Sequence, residues 1–83
     1  PNVAIEIISP DQTFGAMAEK AFDYLMAGTL SVWVVDPRAK TVTVFHPRAV
    51  PITYRGNTVI QELQLPDLNI SAQMIFDRAG LLG

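Results

Sequence analysis

Cysteine is absent from this 83-residue chain, and histidine occurs once, as His46. The first absence excludes disulfides and thiolate metal sites; the second leaves one chain unable to build a histidine zinc centre by itself. Charge is sparse, at 17% against 49% apolar residues, a balance that excludes a disordered polypeptide. No apolar run approaches the roughly 18 residues of a membrane span, and no stretch resembles a signal peptide. The expectation is a cytoplasmic protein without membrane contact. A net charge of −2 provides no overall pull on nucleic acid. Gly15, Gly28 and Gly56 are scattered, so no glycine loop is available to cradle a phosphate.

What is present fits one small domain. A chain of this size buries only roughly 60–65% of its unfolded surface. Its apolar excess therefore points to surface meant for a partner or for the rest of a larger domain. Pro1 either follows removal of an initiator Met or marks a cut within a longer protein.

Val3 to Ile8 is apolar at every position except Glu6, and Ser9-Pro10 closes the run. It reads as a strand buried on both faces, with Ala4, Glu6 and Ile8 on one of them. A carboxylate there must find a partner, bind a metal or stay protonated. Asp11 is expected either to cap a helix from about Thr13 to Met26 or to start a Pro-Asp turn ahead of it. Phe14, Met17, Ala18, Ala21 and Leu25 form its apolar stripe, with Lys20 at the stripe's edge beside Tyr24. Leu30–Val35 is a second apolar strand, with Trp33 a core residue. Asp36–Ala39 is a turn, and Lys40–His46 alternates as the antiparallel partner of the second strand. Ile52–Tyr54 and Thr58–Ile60 flank Arg55-Gly56-Asn57 as a peripheral hairpin. Ser71 caps a last helix over Ala72–Ala79, which Gly80 ends.

These elements predict an α/β fold with a mixed sheet: a parallel strand–helix–strand core over 1–46, then antiparallel hairpin structure and a C-terminal helix over 47–83. One good helix and one short one are a thin supply for two sheet faces. A homo-oligomer, with a dimer favoured, is the expected remedy.

Glu6 and Lys20 are the chemically interesting pair. A helix packed back on its sheet brings the lysine toward the carboxylate. The carboxylate could then hold a cation while the ammonium orients water and offsets phosphorane charge. Oxygen ligation favours magnesium or manganese. A Glu–Lys ion pair without chemistry fits the same spacing. Residues 37–56 carry Arg38, Lys40, Arg48 and Arg55 with no acid, which reads either as a solvated hairpin or as DNA phosphate contacts. His46 reads as an exposed or hydrogen-bonded strand residue. Ser9 reads as a strand terminator, or as a hydrogen bonder behind the site.

Asn2 to Pro10 after Pro1, Glu19-Lys20, Tyr24 to Gly28 and Val32-Trp33-Val34-Val35-Asp36-Pro37 together resemble the Uma-two family of restriction-endonuclease-like proteins. The resemblance runs over essentially the whole chain. It implies a PD-(D/E)XK nuclease-like fold, a divalent-metal site and DNA as substrate. Glu6 matches the metal-binding acid of the central strand, and Lys20 matches the lysine, which the family carries on the following helix. Ile8 stands where the wider fold has that lysine. The Ile7 carbonyl is a further ligand on this reading. The resemblance also implies a partial or truncated domain, because the family's upstream aspartate lies on a preceding strand not found here, and Asn2 replaces a usual Asp. Two functions follow: a metal-dependent DNA endonuclease domain, incomplete as this chain, or a non-catalytic, self-associating module derived from that fold.

Overall fold

The computed structural model describes residues 2–79; Pro1 and the helix-ending Gly80 lie outside them. The elements in chain order are β1 (Val3–Ile7), α1 (Phe14–Met26), β2 (Ser31–Asp36), β3 (Thr41–Phe45), β4 (Ile52–Arg55) and α2 (Ala72–Ala79). The four strands form one sheet in the order β1-β2-β3-β4. β1 runs parallel to β2, with Glu6 opposite Val34, and β2–β3 is the expected antiparallel hairpin.

The sheet's alternation sorts its side chains onto two faces. On the α1 face, Ile8, Val32, Val34 and Phe45 pack with Met17 and Ala21 of the helix. The ring of Phe22 meets Phe45 edge-on at 5.6 Å. On the other face, Trp33, Val35, Val42, Val44 and Tyr54 pack against Ile60, Ala72 and Phe76. Trp33 is a core residue, 4% exposed, as its valine neighbours predict.

Three expectations are corrected. Thr13, not Asp11, caps α1: its backbone is extended and its Oγ1 accepts the Ala16 N–H at 3.1 Å. Asp11 takes the other expected place, in the turn before the helix, where it accepts a hydrogen bond from Ser9 Oγ at 2.8 Å. Ile52–Tyr54 does not pair with Thr58–Ile60. It joins β3 as the fourth strand, because that register turns Tyr54 into the core beside Val42. Val59 forms a lone bridge with Ser71. Finally, β1 is not buried on both faces. Among the described residues it is an edge strand, with Ile5 and Ile7 58% and 55% exposed.

The edge has a direction that matters for the site. Asn2 O accepts from Ser31 N–H at 3.0 Å, and Ile8 N–H donates to Val35 O at 2.9 Å. Alternate residues of a parallel ladder turn both backbone groups to the same neighbour. The even-numbered residues of β1 therefore face β2, and the Ile7 carbonyl faces the open edge. Among the described residues no helix is long and apolar enough to cross a membrane.

Candidate functional site

Glu6 lies on the α1 face because it shares the parity of Ala4 and Ile8, both packed against that core. Lys20 and Tyr24 are four residues apart on α1 and so occupy one side of the helix. Their side chains converge on the carboxylate. Lys20 Nζ lies 2.8 Å from Glu6 Oε1, and Tyr24 Oη donates to the same oxygen at 2.8 Å. Oε2 accepts no hydrogen bond from any described residue. The Glu6 side chain is 19% exposed and that of Lys20 52%.

This geometry sets the charges. The hydrogen bond from Lys20 and then that from Tyr24 hold the Glu6 carboxyl below its usual range, against the opposing effect of burial. Glu6 in turn raises the Lys20 ammonium, chiefly through the same hydrogen bond. It raises the Tyr24 phenol likewise. At neutral pH the site is an ionised carboxylate, an ammonium and a neutral phenol. Such a set can bind a cation or steady a phosphate, and it is unsuited to donating a carboxyl proton.

The donors fit part of a magnesium or manganese shell. Glu6 Oε2 is a hard oxygen that accepts no hydrogen bond from any described residue, and the Ile7 carbonyl is on the open edge of the same strand. Among the described residues no three acidic, histidine or cysteine side chains gather to hold a metal. Magnesium is commonly held by one or two carboxylates with several waters, so one carboxylate makes a partial site. A cleft of about 540 Å³ opens at the carboxyl ends of β1 and β2, between Ile8, Ser9, Thr13, Phe14, Asp36 and Arg38. Glu6 and Lys20 lie outside its lining.

The four basic residues are not brought together. Arg38 and Lys40 lie in the β2–β3 turn, and Arg55, opposite Thr41, lies at the same end of the sheet. Arg48 follows β3 at the other end. Arg38 is engaged locally, its Nη2 donating to Pro10 O at 3.3 Å.

One titratable residue escaped the sequence reading. Glu62, 5% exposed, sits on the α2 face. Its Oε1 accepts from Ser31 Oγ and from Trp33 Nε1, the latter at 2.7 Å. Its Oε2 accepts the Gln64 N–H at 2.9 Å, with His46 Nε2 at 3.5 Å. Burial pushes this carboxyl up, but Ser31, Trp33, Gln64 and His46 together hold it below the ordinary value. The available signal lay in β2, not around Glu62. Ser31 and Trp33, two apart in a buried strand, are two donors on one face and demand a shared acceptor.

Comparison with known proteins follows the same lines. Among curated proteins none matches the chain. A crystal structure described as a "putative nuclease belonging to DUF820" from Anabaena variabilis is similar in fold, with a TM-score of 0.84 and 27% identity. The match takes in 99% of this chain and 46% of that one, so the chain spans about half the length of its structural relative. The family model Uma2, described as "Putative restriction endonuclease", matches residues 1–73, and the chain belongs to that family.

Proposed function

We propose that this domain contributes to metal-dependent hydrolysis of DNA phosphodiesters, with Glu6 Oε2 and the Ile7 carbonyl as ligands of Mg²⁺ or Mn²⁺ and Lys20 as the catalytic ammonium. The observation that carries the reading is the arrangement at Glu6: an ionised carboxylate paired to Lys20 through one oxygen, with the other left over. The nuclease-like fold and the family membership support it. A divalent cation there supplies Lewis acidity and a more acidic bound water. Glu6 would hold that cation, and Lys20, half exposed on a flexible stem, would reach a phosphate oxygen and offset its developing charge. Arg38, Lys40 and Arg55 are proposed as phosphate contacts at one end of the sheet; Arg48 is not part of that group.

Cation binding is the step these 83 residues can show by themselves. Equilibrium dialysis with Mn²⁺ should give saturable binding that weakens more than about tenfold in Glu6→Gln, since the ligand itself is removed. Equal binding by the two proteins would end the proposal. With one carboxylate, the chain alone is expected to leave supercoiled plasmid intact. Cleavage lost in Glu6→Gln would show instead that the site is complete.

A second reading, self-association of a non-catalytic module, is favoured by the apolar edge. Val3, Ile5, Ile7, Leu65, Leu68 and Ile75 line a groove of about 310 Å³ beside β1. Sedimentation that finds only monomer at working concentration would count against it.

A further inference from the structure

Among the described residues the sheet has two edges, and they are not alike. β4, at one of them, is four residues long, follows Pro51 and finishes on Arg55. Shortness, a proline and a charge all guard a sheet edge against pairing with another chain. β1, at the other, contains no proline and no basic residue, and its ladder to β2 runs from Val3 to Ile7 without a bulge. Its one charge, Glu6, is already paired with Lys20. Val3, Ile5 and Ile7 turn their N–H and C=O groups to the open side, because the even-numbered residues face β2. Their side chains line the apolar groove with Leu65 and Leu68.

We infer that β1 pairs antiparallel with β1 of a second copy about a two-fold axis at Ile5, joining two four-stranded sheets into one. The inference rests on the self-associating reading and gives it a register. A two-fold pair needs an outward-facing residue at or symmetrically about its centre, and Ile5, the middle of β1, faces outward. Centred there, Ile5 meets the partner's Ile5 and Val3 meets the partner's Ile7, each pair exchanging two backbone hydrogen bonds. No outward residue of β1 is left over. The β-branched rows of the two copies lie side by side and carry one groove into the other. Charge selects the same register, since Glu6 then stands opposite the partner's Ala4. Sliding until Ile5 meets the partner's Ile7 would set Glu6 directly against the partner's Glu6. That pair would occupy a non-hydrogen-bonded position, where Cα atoms are only about 4.5 Å apart and like charges destabilise the ladder. Sliding the other way carries Ile7 past the end of the partner's strand.

One short strand a side makes a small interface, so the dimer should be weak and concentration-dependent. Sedimentation of the 83-residue chain over a concentration series should show monomer giving way to dimer. Cross-linking then reads the register, and the lack of cysteine leaves no competing thiol. Ile5→Cys places two thiols on Cα atoms about 5.5 Å apart, within disulfide reach, so a mild oxidant should yield a covalent dimer. Val3→Cys alone should not link to itself, and neither should Ile7→Cys. Each of those positions lies about 14 Å from its own copy, four residues away at roughly 3.4 Å each. Mixing the two variants should produce the link that neither makes alone. A dimer without this pattern leaves self-association standing and overturns the edge pairing. Monomer at every concentration overturns both, and assigns the open edge to a strand from outside these residues. Should a variant not fold, amide hydrogen exchange of the wild type decides. Protection of the Ile5 and Ile7 amides should rise with protein concentration, while that of Ala4 and Glu6, already bonded to β2, stays constant. Unchanged exchange at Ile5 and Ile7 in the dimer sinks the inference.

Discussion

Glu6 and Glu62 stand on opposite faces of one sheet. On the α1 face, Glu6 receives both of its donors on Oε1 and keeps Oε2 unused, at the rim of an edge strand. On the α2 face, Glu62 uses both oxygens, for Ser31, Trp33 and Gln64 with His46 beside them, and its side chain is wholly out of solvent. No buried side-chain polar atom among the described residues lacks a partner. A carboxylate with every position filled can only hold structure together. A carboxylate with one position spare can still take a ligand. By that criterion Glu62 ties residues 61–64 to β2, and Glu6 is the one with an oxygen spare for the proposed cation.

The largest effect should come from Glu62→Ala. It strands the Ser31 hydroxyl, the Trp33 indole N–H and the Gln64 N–H in the interior, at a cost of about 3 kcal/mol. For a domain of this size that lowers the melting temperature by roughly 15 °C. A fall under a few degrees, seen calorimetrically, would mean water replaces the carboxylate and the contrast with Glu6 is false. Glu6→Gln should melt within a few degrees of wild type, because its pair is with an exposed lysine.

Acid sharpens the same contrast. Both carboxyls are held below the ordinary value of 4.5 in the folded protein. Each therefore contributes stability that is present above that pH and is lost as pH falls through the folded-state value. Stability should decline below about pH 4.5, and Glu62→Gln should flatten the decline in low and high salt alike. Glu6→Gln should flatten it only in low salt, since Lys20 is screened by solvent ions. Denaturant melts across pH at two salt concentrations measure this, and equal salt response in the two variants breaks the comparison.

The smallest effect on stability should come from the β1 edge. Ile5→Lys with Ile7→Lys changes two half-exposed side chains, and each should cost under about 0.5 kcal/mol. If the groove beside β1 mediates self-association, the double variant sediments as monomer where wild type does not. Unchanged sedimentation of an oligomer would move the interface elsewhere.

Much of this was legible in particular residues. The apolar run around Glu6 placed β1 and its face, and the spacing from Phe14 to Leu25 placed α1 with Lys20 at its flank. Ser31 and Trp33 carried a readable demand for an acceptor, but the residue that meets it sits in an irregular segment with no periodicity. The β4 pairing was misjudged because Arg55-Gly56-Asn57 is a turn signal that says where the chain bends, and nothing about which strand it bends toward.

The sequence by itself determined the order of elements and which side chains share a face, since both follow from periodicities of two and 3.6 residues that act within one segment. Only the tertiary structure decided that β1 lies at an edge, that Tyr24 joins Lys20 on a single oxygen of Glu6, and that Glu62 closes the opposite core. Those contacts join residues 18 and 31 positions apart. At such separations it is the packing of whole elements, and not local preference, that selects the partner.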